Sequence, residues 1–318
     1  MVAKKKQKGY NKGEEESNKN SWKKRKYSDF TIAQGEESGE KKRMKYKRSE
    51  RVAQITRILM EHPNEILTLS YFSDRLNAAK SSISEDMMII KNAMEKSRGG
   101  KILTVAGASG GVKYIPMASE EYATELLEEI AKHLQESHRI ISGGFLYMPD
   151  IMYSTRLVEG VAKIFATRFQ KHPVDYIVTV ETKGIPIAFM TARALNKPLI
   201  IIRRESKVTD GSTVSINYIS GSTGKIERMS LSRRAVKPGS KVIIIDDFMK
   251  GGGTAKGMMD MMREFEAEVL AIGVLIETTT PERKKVKEYL SLLHLEEVIE
   301  ETGEIKIRPN PEITQKQK

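Results

Sequence analysis

Residues 242–258 read Val-Ile-Ile-Ile-Asp-Asp-Phe-Met-Lys-Gly-Gly-Gly-Thr-Ala-Lys-Gly-Met. Four β-branched residues predict a buried strand. Two adjacent carboxylates, Asp246 and Asp247, stand at its C-terminal end. Phe248, Met249 and Lys250 follow, then Gly251, Gly252 and Gly253, and Thr254 is expected to open a helix. A strand-to-helix turn offers unpaired N–H groups and the positive end of the helix dipole to a phosphate. Glycine suits such a turn, because a side chain would keep the phosphate away from the backbone. Acids that precede a phosphate cradle can accept hydrogen bonds from ribose hydroxyls. The stretch is not a Walker loop, since Gly-x4-Gly-Lys-Ser/Thr is absent. It is not a dinucleotide fingerprint either, since its acids precede the glycines.

Around this stretch, helices are expected over 155–170, 185–195 and 254–266, and strands over 175–180, 199–202, 241–245 and 269–275. The alternation predicts an α/β domain with a parallel sheet covered by helices on both faces. Ligands bind beyond the C-terminal strand ends of such sheets. The turn Glu181–Gly184 and the segment Asp246–Thr254 both follow strands, so they are expected to line one pocket. Residues 205–235 are polar and too long to lack structure unless functional. A hairpin is expected there through Val214–Ser220.

An apolar strand, two acids, three residues and a small residue-Gly-Gly-Thr together resemble the phosphoribosyl pyrophosphate (PRPP) motif of type I phosphoribosyltransferases. Lys250–Thr254 then offer donors to the 5′-phosphate, and Asp246 and Asp247 accept from the ribose. Thr182, Lys183 and Gly184, with Arg203, Arg204 and Lys207, are candidates for the pyrophosphate. Mg²⁺ is expected to arrive on that pyrophosphate, so no protein metal site is expected. The plain alternatives are an ordinary strand–turn–helix with exposed acids, and a solvated strand end at Arg203 and Arg204.

The N-terminal part is different. Net charge is +12, of which residues 1–48 carry +9, with 16 Lys/Arg against 7 Asp/Glu. Residues 1–43 read as a disordered basic extension, either a polyanion contact or a solvated arm. We also hold the hypothesis that native translation starts at Met44. Residues 44–118 read as a winged-helix DNA-binding domain, and 119–318 as the ligand domain. Helices are expected from Ser49 to His62, from Ser70, and from Ser82, whose Glu85 has capping-box spacing. In the third helix Ile83, Met87, Ile90 and Met94 form a core stripe, opposite Ser81, Ser82, Met88 and Asn92. Strands Lys101–Ala106 and Val112–Ile115 make the wing. The third helix would enter the major groove, placing Lys80, Ser81, Ser82, Ser84 and Lys91 near phosphates and base edges. Lys45, Lys47, Arg48, Lys101 and Lys113 add expected backbone contacts. The alternative on pattern alone is a small helical protein–protein module.

No cysteine occurs among the 318 residues, which excludes disulfides and cysteine metal sites and fits a reducing cytoplasm. No apolar run reaches membrane-spanning length, and no secretory signal is visible.

The chain as a whole resembles the purine operon repressors of Gram-positive bacteria. The resemblance is carried by Ala-Lys-Ser-Ser-Ile-Ser-Glu-Asp (79–86), Gly-Gly-Val-Lys-Tyr-Ile-Pro (110–116), Thr-Lys-Gly-Ile-Pro (182–186), Lys-Val-Thr-Asp-Gly-Ser-Thr-Val-Ser-Ile-Asn-Tyr (207–218) and Ile-Asp-Asp-Phe-Met-Lys (245–250). It implies a cytoplasmic homodimer that binds operator DNA and represses purine genes. It further implies a transferase-like domain that binds PRPP without turnover, needs no cofactor, and can admit guanosine tetraphosphate. Phe145 and Tyr147 would line the nucleobase side. Two departures bear on catalysis. Gly251 stands where the enzymes carry Thr or Ser, and Lys250 puts a bulky cation into the cradle. The rival class is an active purine or xanthine phosphoribosyltransferase carrying a DNA-binding appendage, because Thr182-Lys-Gly-Ile also resembles the pyrophosphate loop of xanthine-type enzymes. A third reading is a polyanion binder without regulatory function.

Overall fold

β-Branched strands and amphipathic helices sort this chain into two joined domains. The computed structural model describes residues 45–97, 99–107, 110–221 and 224–314. The expectations for residues 1–43 lie outside the described residues.

The first domain has helices α1 (Arg48–Glu61), α2 (Leu69–Leu76) and α3 (Lys80–Ser97), then strands β1 (Lys101–Val105) and β2 (Gly111–Ile115). β1 and β2 pair antiparallel, with Lys101 opposite Ile115 and Val105 opposite Gly111. Ile55, Leu59, Phe72, Ile83, Met87, Ile90, Ile102 and Val112 form its core. The i, i+4, i+7 spacing of Ile83, Met87 and Ile90 is what turns one face of α3 inward. All three helix starts differ from expectation. The cap of α1 is Lys47, whose backbone N–H is held by Glu50 Oε2 at 2.7 Å. The cap of α2 is Thr68, whose Oγ1 accepts from Tyr71 N at 3.1 Å. α3 already runs at Lys80, so Ser82 lies inside it and caps nothing.

α4 (Glu120–Leu134), capped by Ser119, leads onward. A small hairpin of β3 (Ile140–Ile141) and β4 (Phe145–Leu146) and the short α5 (Pro149–Met152) follow. Next come α6 (Thr155–Phe169), β5 (Tyr176–Val180), α7 (Ile185–Leu195), β6 (Leu199–Ile202), and an antiparallel hairpin of β7 (Thr213–Ile219) and β8 (Ile226–Ser232). The chain continues through β9 (Lys241–Met249), α8 (Gly253–Glu264), β10 (Glu268–Thr278), β11 (Leu290–Ile299), β12 (Glu304–Pro309) and α9 (Pro311–Thr314).

The central sheet has the order β12-β11-β10-β9-β5-β6 and is parallel except for β12, which runs antiparallel to β11. The expected parallel core is therefore present with one antiparallel edge added. Successive residues of a strand face opposite sides. Thus Ile243 and Ile245 join the core under α4, α6 and α7, while Val242 and Ile244 join the core under α8 and the hairpin. Burying both faces is why β9 reads as a continuous apolar run. β9 also extends to Met249, so Asp246 and Asp247 lie within the strand rather than beyond it.

Candidate functional site

The C-terminal ends of β5 and β9, the glycine turn and the β3–β4 hairpin enclose a cavity of about 690 Å³. Its walls include Glu181, Thr182, Lys183, Arg204, Asp246, Asp247, Phe248, Met249, Lys250, Gly252, Gly253 and Thr254. Most of the expected residues therefore meet in one place. Gly184 is buried just behind the wall, where a Cβ would fall 2.6 Å from Asp246 Oδ1 and 2.7 Å from Thr179 Oγ1. The Thr179 hydroxyl there is buried without a hydrogen-bond partner.

Four expectations for this pocket are corrected. Arg203 and Lys207 are not on its wall. Arg203 bridges backbone to backbone with Ser230 of the hairpin, and Lys207 donates its N–H to Asp210 Oδ2 at 2.8 Å. Arg203 is held against the hairpin just past the end of β6, whereas Arg204, in the bend that follows, lines the pocket. Tyr147 is 45% exposed and off the wall, whereas Phe145 lines it. Gly251 is also outside the wall.

The glycines have reasons beyond ligand approach. Gly252 takes φ 73°, a left-handed conformation that favours glycine. A Cβ on Gly253 would collide with the Ile219 carbonyl of β7. α8 starts at Gly253, one residue earlier than expected. The backbone nitrogens of Gly251, Gly252 and Gly253 converge within 3.0–3.2 Å of the point where a Gly221 Cβ would sit. The hairpin thus rests on the N–H cluster of the turn. Behind it, Lys285 N donates to Gly251 O at 3.0 Å.

The electrostatics of the pocket are uneven. Asp246 is 5% exposed, and burial pushes its carboxyl well above the usual range, with the Asp247 charge adding to the effect. Its Oδ1 accepts from Asp247 N at 3.0 Å. The cation facing the pocket, Arg204, pairs with Glu227 of β8, and its N–H donates to Glu181 Oε1 at 2.6 Å. Tyr218 donates to the same Glu227 at 2.7 Å, and burial together with that carboxylate pushes the phenol up to about 12. Lys183 and Lys250 are exposed at the mouth. The arrangement offers cations and N–H groups to phosphates, and carboxylates to hydroxyls.

Sequence reasoning missed what holds the β3–β4 hairpin. Arg139 is 4% exposed and grips Asp150 with two hydrogen bonds of 2.8 and 2.7 Å. Tyr147 N donates to Arg139 O at 2.8 Å. An arginine with an aspartate eleven residues on is too common a pair to have been singled out.

The first domain carries a second cavity, about 470 Å³, between α3 and the wing. Lys80, Ser84 and Lys91 line it with Met88, Thr104 and Gly107. Ser81 is exposed, and Ser82 is half-buried. Lys45 and Lys47 are exposed in the lead-in, and Lys113 is half-buried in the wing. Lys101 stands at the base of the wing, away from its tip. Arg48 is not a free cation. Its Nη2 lies 3.4 Å from Glu85 and its Nε 3.4 Å from Asp86. Asp86 is fully buried and accepts from Arg51 Nε at 2.8 Å. These contacts tie α1 to α3 and fix the angle at which α3 presents its outer face.

Residues 47–116 match the family model for the N-terminal domain of the bacterial purine repressor, and 151–306 match the phosphoribosyl transferase domain. The purine biosynthesis transcriptional repressor PurR of Bacillus subtilis is 48% identical over 252 residues, covering 79% of this chain and 88% of that protein. This chain belongs to the bacterial purine repressor family. The family is not uniform in sign. The Lactococcus lactis relative, 38% identical over 79% of this chain and 93% of its own, is named a purine biosynthesis transcriptional activator. Outside the family, a xanthine phosphoribosyltransferase from an Exiguobacterium species is 37% identical over 122 residues, 38% of this chain and 63% of that enzyme. No helix among the described residues is long and apolar enough to cross a membrane.

Proposed function

We propose that this protein is a cytoplasmic, homodimeric repressor of purine biosynthesis genes that PRPP releases from operator DNA. The observation that carries the reading is the joint presence, on one wall, of buried Asp246, Asp247, the Gly252–Thr254 turn, Lys183 and Arg204. That set fits a ribose bearing phosphates at both ends. The carboxylates take the ribose hydroxyls, the turn takes the 5′-phosphate, and Lys183 and Arg204 take the pyrophosphate with any Mg²⁺ it brings. A guanine nucleotide carrying phosphates at both ends, guanosine tetraphosphate, meets the same requirements and would oppose PRPP by competition.

The DNA partner follows from the first domain. Lys80, Ser84 and Lys91 on α3 and the wing backbone at Gly107 share one groove. Small hydroxyls permit close approach to base edges, and the lysines neutralise phosphates. PRPP can weaken this binding only by preferring the state of the protein that holds DNA poorly. The test is a titration of PRPP into the protein–operator complex at fixed salt and Mg²⁺. An unchanged operator affinity refutes the proposal.

The second reading, an active xanthine-type phosphoribosyltransferase, is favoured by the identity to that enzyme class over 122 residues. Lys250 in the cradle and Gly251 in place of a hydroxyl donor argue against it. Incubation with PRPP, Mg²⁺ and each purine base decides, because only an enzyme releases pyrophosphate.

A further inference from the structure

Helix α7 begins beside the pocket and ends beside the DNA-binding domain. It follows directly on Thr182-Lys183-Gly184, and Gly184 packs so closely on Asp246 and Thr179 that no side chain would fit between them. A ligand that engages Lys183 or Asp246 therefore meets residues joined to or packed against the start of this helix. The helix itself is stiff. Ile187, Ala188, Thr191, Ala192 and Leu195 are buried along its length, which is about 16 Å at 1.5 Å per residue.

The far end makes a specific contact. The last carbonyls of a helix have no partner within it. One of these, Ala194 O, accepts a 2.6 Å hydrogen bond from Asn64 Nδ2. Asn64 lies in the turn between α1 and α2. Its own N–H donates to Tyr114 O of wing strand β2 at 2.7 Å. Three residues on, Leu67 exchanges two backbone hydrogen bonds with Val112 of the same strand, at 2.9 and 2.8 Å. Asn64 has φ 58°, so its side chain leaves a backbone conformation that the turn fixes. Contacts thus run without a break from Gly184 through α7 and Asn64 to the wing.

We infer that Asn64 is a positioning residue that carries pocket occupancy to the wing and recognition helix. The inference rests on the reading that PRPP controls DNA binding. A purely structural tether at this junction would change thermal stability and leave the response to PRPP intact. A coupling residue is defined by the opposite result, a change in linkage between two ligands.

The experiment compares full-length wild type with Asn64→Gly, Asn64→Asp and Glu65→Gln. Glycine adopts a left-handed φ freely, so Asn64→Gly keeps the turn and removes only the amide. Asn64→Asp puts a carboxylate against the Ala194 carbonyl. Glu65→Gln leaves the junction bond intact. Operator affinity is measured with and without saturating PRPP and Mg²⁺, and PRPP affinity is measured without DNA. Wild type and Glu65→Gln are expected to lose about fivefold or more in operator affinity on adding PRPP. Both Asn64 variants are expected to lose less than about twofold, while binding PRPP alone and operator alone as wild type does. A wild-type response in Asn64→Gly overturns the inference. So does loss of operator or PRPP binding by Asn64→Gly without the other ligand, since Asn64 would then serve local structure. A wild-type protein indifferent to PRPP overturns the regulatory reading itself, and that result needs no variant.

Discussion

Two carboxylates, Asp246 buried and Glu277 half-buried, stand on neighbouring strands, and their surroundings are opposite. Glu277 ends β10. It accepts from Ser291 Oγ at 2.8 Å, from His294 Nε2 at 3.0 Å and from the Tyr289 hydroxyl. Asp246, one strand over in β9, has the N–H of Asp247 and that residue's negative charge for company. Burial would raise Glu277 as it raises Asp246, but the three donors outweigh it and hold Glu277 at about 2. Asp246 has no such set, so burial decides and its carboxyl is raised. A half-buried acid with satisfied oxygens serves the fold. A buried acid left short of donors costs stability, and that is tolerable where a ligand supplies what is missing.

The largest expected effect falls on the ligand side of this comparison. Asp247→Ala removes an acceptor for the ribose hydroxyls, and charged acceptors make the stronger hydrogen bonds. PRPP affinity is expected to fall by about 100-fold, with operator binding in the absence of PRPP unchanged. Calorimetry and an operator-binding assay check the two halves separately. Unaltered PRPP affinity would mean that the acids do not face the ribose.

On the structural side, Glu277 has an ordinary pKa of 4.5 and about 2 in the folded chain. Such a group contributes stability that is present above its unfolded pKa and is lost as pH falls toward the folded value. The wild type is therefore expected to lose roughly 3 kcal/mol between pH 4.5 and pH 2 from this group. Glu277→Gln is expected to cost roughly 2 kcal/mol at pH 7 and to flatten that acid limb. Urea unfolding at pH 7 and pH 3 measures both. Equal losses for variant and wild type on acidification would dissolve the contrast with Asp246.

Asp246 has the reverse sign. Its folded pKa is raised, so its contribution is complete below the ordinary value of 3.8 and is lost as pH rises through the raised one. Asp246→Asn carries no charge to desolvate. It is expected to be more stable than wild type at pH 8 by about 1 kcal/mol, with the gain vanishing near pH 4, and to bind PRPP poorly. Thermal unfolding at the two pH values reads the first part. A variant less stable than wild type at pH 8 would show that Asp246 is held by contacts its geometry does not reveal.

Much of the ligand domain was legible because local pattern and final fold agree. α7 and β6 have the expected bounds, since Pro186 opens the helix and Asn196 closes it in a left-handed cap. The acid pair, by contrast, lies inside a strand longer than expected, and the glycine turn opens α8 one residue early. Helix starts in the first domain were misread for a local reason. Ser49, Ser70 and Ser82 are competent caps, but Lys47, Thr68 and the residue before Lys80 come first. β11 and β12 went unassigned because a loop, not a helix, joins β10 to β11 and breaks the βαβ rhythm. The Arg51–Asp86 and Asn64–Ala194 contacts join residues 35 and 130 positions apart. No periodicity reports such pairs. Arg203 and Arg204 part because Arg203 is held against Ser230 of the hairpin, a pairing 27 positions away, while Arg204 in the bend that follows lines the pocket.

The smallest expected effect tests the comparison from outside, at the DNA-binding end. Lys80 is the first residue of α3, exposed, and on the groove shared with the wing. A lysine that neutralises one phosphate releases about one counterion, so its loss reduces the slope of log affinity against log salt by about 0.9. Lys80→Ala is expected to weaken operator binding by about three- to fivefold at moderate salt, with PRPP affinity and thermal stability unchanged. The deficit should shrink as salt rises, because the missing interaction is the screened one. A variant that loses affinity equally at all salt concentrations would place Lys80 on a base edge instead of a phosphate. Either way the loss is confined to DNA, whereas Asp247→Ala spares DNA and loses PRPP. A variant that lost both would mean the two ends share more than the contacts of α7 and Asn64.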